Sequence, residues 1–186
     1  MSQVSTPQSK LYTARDIERL DAQGHRYELV AGELLPMSPT SPPHGRDTGR
    51  LTIALGNFIE SNNLGELFVG ETGFRLTTKP DTVLAPDIAF VRSDRIALLG
   101  NKGFGKCAPD LVVEIRSPGD TKREVSDKLR RWLGFGVRLV LDLDPKAKRL
   151  TVHRPGHEAV VLGPGDTLGG YDVLPGFTMP LSRVFR

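Results

Sequence analysis

Two carboxylates stand inside otherwise aliphatic segments of this 186-residue chain: Asp87 in VLAPDIAFV and Glu114 in LVVEIRS. A carboxylate in the middle of a strand is costly to bury without a partner. Each one therefore needs a cation, a set of donors or water. Strand alternation puts Asp87, Ala89 and Val91 on one face and Ile88 and Phe90 on the other. In the same way Val112, Glu114 and Arg116 share a face opposite Leu111, Val113 and Ile115. Two such acids on neighbouring strands repel each other unless a positive charge lies between them. A divalent ion supplies that charge, and hard ions such as Mg²⁺ prefer oxygen ligands. Taken singly, each acid is more simply a salt-bridged or strand-end residue. The pairing points further, because Asp87 follows Pro86 directly and Glu114 comes 27 residues later.

The elements that must hold these residues can be read from periodicity. Thr13 and Asp16 form a capping-box pattern for a helix running to about Ala22. YELVAGELLPM reads as a hairpin turning at Ala31-Gly32, and SPTSPPHG as a proline-rich loop. Leu51, Leu55, Phe58 and Ile59 form the stripe of an amphipathic helix that stops near Gly65. LFVGETGFRL, TVLAPDIAFV and PDLVVEIRS read as three strands. Val125, Leu129, Trp132 and Leu133 mark a second helix ending near Gly136, and RLVLDLDP is a buried strand. KRLTVHRP, EAVVL and YDVLPGF close the chain as a β meander. From residue 46 the order is helix, three strands, helix, strand, an α/β arrangement whose crossover helix makes two strands parallel. Residues 1–10 are expected to be a disordered lead-in and 11–186 a single domain.

Composition sets the outer bounds. Hydrophobic residues make up 38% and charged residues 25%, as in an ordinary globular protein. A net charge of +3 permits a polyanionic partner without requiring one. The single cysteine, Cys107, forms no internal disulfide, sits in no activating environment and is expected to be inert. The first ten residues lack the apolar run of a signal peptide, and no stretch reaches membrane-spanning length. The expected location is the cytoplasm. The basic residues from Lys122 to Arg138 are interleaved with Asp120, Glu124 and Asp127, as on a solvated helix face.

Pro86-Asp87 followed by Glu114-Ile115-Arg116 resembles the PD-(D/E)XK pattern of restriction-type nucleases, with arginine in place of the usual lysine. The ordered series YELVAGELLPMSP, HG, ETGFRL, APDIAFV, PDLVVEIRSP, DKLRRWLGFGV and LDLDP, over about residues 25–155, resembles the Uma-type family of restriction-endonuclease-like proteins. The resemblance implies a restriction-endonuclease-like core (αβββαβ) with a mixed sheet, here extended by an N-terminal hairpin and a C-terminal β meander. It implies a metal-dependent endonuclease acting on nucleic acid, with DNA the expected substrate. Mg²⁺ or Mn²⁺ would be held by Asp87, Glu114 and the main-chain carbonyl of Ile115. It also raises homodimerisation, with the hairpin edges and the meander as candidate interfaces.

The same resemblance calls for a basic group and a further acid. Arg116 can stabilise a pentavalent phosphate but is a poor proton acceptor. Lys128 lies about 40° from Trp132 on the helical wheel. It borders the apolar stripe, from where its stem could carry an ammonium to Glu114 or simply snorkel to solvent. Glu28 and Glu33 are both candidates for the additional acid, and spacing does not decide between them. His44 opens the second helix and could approach a phosphate or orient water; a surface role is the simpler alternative. Glu71 has no assigned part. The alternative to an enzyme is a catalytically inactive nuclease-fold module that binds nucleic acid or a protein partner.

Overall fold

Helix α1 (Ala14–Asp21) starts at the expected capping box. The Asp16 carboxylate accepts from the Thr13 amide at 2.9 Å and the Thr13 hydroxyl from the Asp16 amide at 3.4 Å. The computed structural model describes residues 10–70 and 72–185, so residues 1–9 of the expected lead-in, and Glu71, lie outside the described residues. Strands β1 (Tyr27–Val30) and β2 (Glu33–Pro36) form the hairpin. Its turn residues Ala31 and Gly32 have φ of 49° and 85°, as a tight two-residue hairpin turn requires.

Pro42 and Pro43, read in the sequence as loop, instead open α2 (Pro42–Ser61). The first turn of a helix has no intrahelical use for their missing N–H groups, and Ser41 caps it by accepting from the His44 amide. Two segments expected to be single strands each divide. They become β3 (Gly65–Val69) with β4 (Phe74–Thr77), and β5 (Thr82–Leu84) with β6 (Ile88–Arg92). Pro86 has no N–H to continue a ladder. There the chain leaves one sheet and enters another.

After the short α3 (Ile96–Leu99) come β7 (Leu111–Ile115), α4 (Lys122–Gly134), β8 (Leu139–Asp144), β9 (Arg149–His153) and β10 (Val160–Leu162). A four-stranded sheet has the order β2-β1-β5-β4 and a six-stranded sheet the order β10-β9-β8-β7-β6-β3. In the larger sheet β7 and β8 are parallel, joined by α4, and the other neighbours are antiparallel. The sequence α2-β3-β6-β7-α4-β8 is the expected αβββαβ core with a mixed sheet. The end of the chain differs from a continuous meander. YDVLPGF is not a strand but the connection between β11 (Thr167–Gly169) and β12 (Thr178–Pro180), which pair with each other. Tyr171 and Gly176 take φ of 52° and 85°, which breaks the extended run.

The alternation read from sequence holds in the packing. Ile88, Phe90, Val113 and Leu141 face Leu51, Leu55 and Ile59 of α2 together with Leu174 and Phe177. Val112 and Val140 face Leu129 and Trp132 of α4 and Leu84 of the small sheet. Each such large side chain removed from water contributes about 1.5–3 kcal/mol. The two covering layers therefore hold the edge where β5, β6, β7 and α4 meet.

Candidate active site

That edge gathers most of the residues singled out above. Lys128 reaches from α4 to place its ammonium 3.0 Å from Glu28 Oε1 and 3.1 Å from Glu114 Oε2. The Ala85 carbonyl lies 3.5 Å away and completes the set of three acceptors an ammonium can serve. The Ala85 amide in turn donates to Glu28 Oε1 at 2.8 Å, so the β5–β6 crossing fixes the acid. Glu114 Oε1 accepts from the indole N–H of the fully buried Trp132 at 2.7 Å. Asp87 Oδ2 accepts from the Ile115 amide at 2.7 Å, which ties β6 to β7. Its other oxygen lies 3.2 Å from Nε2 of the buried His44. The imidazole Nδ1 stands 3.4 Å from the Thr48 hydroxyl, one helical turn on.

Two carboxylates, Glu28 and Glu114, thus share one ammonium, and Asp87 stands near enough to Glu114 to act on it. Burial pushes the Glu114 carboxyl up to about 8; Lys128 opposes this, while Asp87 and Glu28 add to it. Burial works against the charge on Lys128, but Glu114 and Glu28 outweigh it and hold the amine protonated well beyond its ordinary range. The Asp87 side chain raises His44, burial opposes the rise, and the main chain of Ile115 reinforces it. Glu114 is thus pushed toward its neutral form chiefly by burial, and His44 is drawn toward its charged form by Asp87.

Of the candidates from sequence, Asp87, Glu114, Ile115, Lys128 and Glu28 come together. Glu33 lies exposed on β2, away from this cluster. Arg116 shares a strand face with Glu114 but turns to β8. Its guanidinium takes both oxygens of the buried Asp142, with Nε at 2.8 Å from Oδ1, and also meets Asp144 at 3.3 Å. His44, left open between surface and site, is buried against Asp87. Cys107 is half-buried in its loop, and burial raises its thiol, as an inert residue requires. Sequence reasoning missed Trp132 as a donor, having read it only as part of the helical stripe. The signal was there: it stands one turn after Lys128 and therefore on the same flank.

The donor chemistry fits a small hard cation. Asp87, Glu114 and the Ile115 carbonyl offer oxygens only, and each of the four carboxylate oxygens already faces a protein donor, so an ion would have to share them. Among the described residues no three His, Cys, Asp or Glu side chains are disposed to hold a metal. Mg²⁺ characteristically takes one or two carboxylates and keeps several waters, so two acids and a carbonyl suffice for it.

Comparison with known proteins places this architecture. A crystal structure from Anabaena variabilis ATCC 29413, described as "a putative nuclease belonging to DUF820", superposes with a TM-score of 0.79 at 18% identity, covering 93% of this chain and 97% of that one. The fold is thus of the restriction-endonuclease-like class. The chain belongs to the Uma2 family, described as "Putative restriction endonuclease", whose model matches residues 14–182. No curated protein matches the chain. Family membership supports a nuclease function in general terms. Among the described residues no helix is long and apolar enough to cross a membrane.

Proposed function

We propose that the protein is a metal-dependent endonuclease that hydrolyses phosphodiester bonds in DNA. The gathering of Asp87, Glu114 and Glu28 at one place, with the Lys128 ammonium between Glu28 and Glu114, supports this reading. A bound Mg²⁺ or Mn²⁺ would polarise the phosphoryl group and activate water. Asp87, Glu114 and the Ile115 carbonyl would hold it. Hydrolysis adds water across one P–O bond, yielding a phosphate monoester and an alcohol, and negative charge builds on the phosphoryl oxygens on the way. Lys128, held by Glu28, Glu114 and the Ala85 carbonyl, would oppose that charge as a fixed nearby cation rather than by a hydrogen bond of its own. Trp132 and the Ile115 amide keep the two carboxylates aimed. Arg116 is engaged on β8, so the basic role falls to Lys128. A duplex cut on both strands needs two such sites, which a homodimer would supply.

The test is cleavage of single- and double-stranded DNA with Mg²⁺ and with Mn²⁺. Wild-type protein should cut, EDTA should stop it, and Asp87→Ala should fall to background. Metal-independent binding without any cutting above the Asp87→Ala control would instead favour a non-catalytic binding module.

A further inference from the structure

Helix α4 has two working flanks. At about 100° per residue, Lys128 and Trp132 lie on the flank that meets Glu114, whereas Ser126, Arg130 and Leu133 lie on the other. That second flank overhangs an open cavity of about 450 Å³ between α4 and the β8–β9 face of the sheet. The size is within the range of small-ligand sites. Its wall is aliphatic, made by Val125, Leu129 and Leu133. Its floor is polar, made by Thr151 and His153 on the face of β9 opposite the buried Leu150 and Val152. Nε2 of His153 is buried and has no hydrogen-bond partner. In either tautomer that atom is left with an unmet donor or acceptor, a state native interiors seldom tolerate without a reason.

At the mouth, Arg116 is paired with Asp142 and Asp144, and Arg130 with Asp127. Lys122 also lines the cavity, and among the described residues it has no ion-pair partner. The cavity is also in register with the candidate active site. Glu114, Asp142 and Thr151 are successive Cα partners across β7, β8 and β9. At about 4.8 Å between strands, the pocket floor lies about 10 Å across the sheet from Glu114.

An apolar wall for a flat ring, a polar floor for its edge and one unpaired ammonium at the rim make a consistent set. We propose that this cavity receives a single unstacked nucleotide. The base would lie against Leu129 and Leu133, with its edge toward Thr151 and toward His153 once the imidazole turns its buried Nε2 into the cavity, and its phosphate toward Lys122. Proteins that read unstacked bases combine apolar or aromatic contacts with hydrogen bonds to the base edge in this way. The proposal rests on the nuclease reading for its biological sense, because the nucleotide would belong to the strand being cut. Its binding chemistry does not depend on catalysis.

Ser126→Trp sets an indole into the cavity from an exposed helix position and removes no core contact. His153→Leu removes the orphan polar atom and keeps the side chain's bulk. Binding is measured by calorimetry in EDTA, with the four deoxynucleoside monophosphates, an unstructured single-stranded oligonucleotide, and inorganic phosphate as control. Ser126→Trp should weaken nucleotide or oligonucleotide binding at least about tenfold, and His153→Leu by about tenfold, the loss of one good hydrogen bond. Melting curves confirm that both variants fold. Loss with the monophosphates shows that a free nucleotide suffices, and loss with the oligonucleotide alone shows that the strand is required. Unchanged affinities in Ser126→Trp, or no binding of either probe to wild type, overturn the proposal. Phosphate binding as tightly as the nucleotides does so as well. Should wild type fail to cut DNA yet lose nucleotide binding in Ser126→Trp, the catalytic reading falls and the pocket stands. Should cutting persist while both variants bind unchanged, the pocket alone falls.

Discussion

Replacing Lys128 by Met keeps an unbranched stem of similar volume and deletes only the ammonium. In the native protein that ammonium lies 3.0 Å from Glu28 and 3.1 Å from Glu114, and the three side chains are 26%, 10% and 12% exposed. At an effective dielectric of about 20, each contact at this distance is worth roughly 5 kcal/mol of gross Coulomb attraction. Desolvation of all three groups offsets most of it. What remains measurable is the cost of leaving two buried acids without their cation, about 3–5 kcal/mol. Urea denaturation at about pH 9, above the value of about 8 that Glu114 reaches in the native protein, reads the loss. Trp132, the sole tryptophan, sits against Glu114 as the fluorescent reporter. Adding Glu28→Gln to the Lys128→Met protein removes one of the stranded charges and should recover about half of the loss. At about pH 5 the deficit should shrink, because a protonated carboxyl no longer needs the cation. A loss under about 1 kcal/mol, or no recovery in the double variant, would show that these acids are satisfied by water and that the cluster is not electrostatically coupled.

The Glu114 carboxyl is raised from an ordinary 4.5 to about 8, so the folded protein keeps a proton that the unfolded chain has released. Its contribution to stability is therefore full below the unfolded value and falls as pH climbs toward the folded one. A divalent ion competes with the same proton, so Mn²⁺ affinity by calorimetry should rise between about pH 6 and 8. Glu114→Gln should remove most of that rise; a flat wild-type profile would argue against Glu114 as a ligand. Gly65 has φ of 149°, and a Cβ there would sit 2.1 Å from the Val91 carbonyl oxygen. Gly65→Ala should therefore cost about 3 kcal/mol or more by forcing β3 away from β6, and a cost within about 1 kcal/mol would mean that this edge is pliant.

The core was legible because its signals are periodic. The α2 stripe, the α4 stripe and the alternation around Asp87 and Glu114 each report burial directly. Boundaries that depend on proline were not. Pro42 and Pro43 look alike as loop or as helix start, since only the geometry of Ser41 and the following turn decides. Pro86 marks a change of sheet that strand periodicity alone does not reveal. At the site, Glu28 and Glu33 are equivalent in spacing, and the choice between them belongs to tertiary structure. The Ala85 amide meets Glu28 across 57 residues. Trp132 was hidden by its own hydrophobicity, because an indole filling a core stripe does not announce that its N–H has a job.

On the nuclease reading proposed above, Arg116 gives a reason for the basic group to come from a helix and not from its own position. Position 116 lies on the same side of the sheet as Glu114, just past the end of β7, while Asp142 lies beside Glu114 on the parallel strand β8. A lysine at 116 would have been a point charge drawn between two acids. Arginine has a planar fork that matches both oxygens of one carboxylate. It commits to Asp142, which is buried and costly to leave unpaired, and so fastens the far side of the β7–β8 pair. The ammonium must then come from another direction, and α4 is the crossover that the parallel pair requires. Its second turn hangs over Glu114, and Lys128 and Trp132, four residues apart, descend together on the two oxygens of that acid. The connection that makes the sheet mixed is thus also the element that supplies the cation.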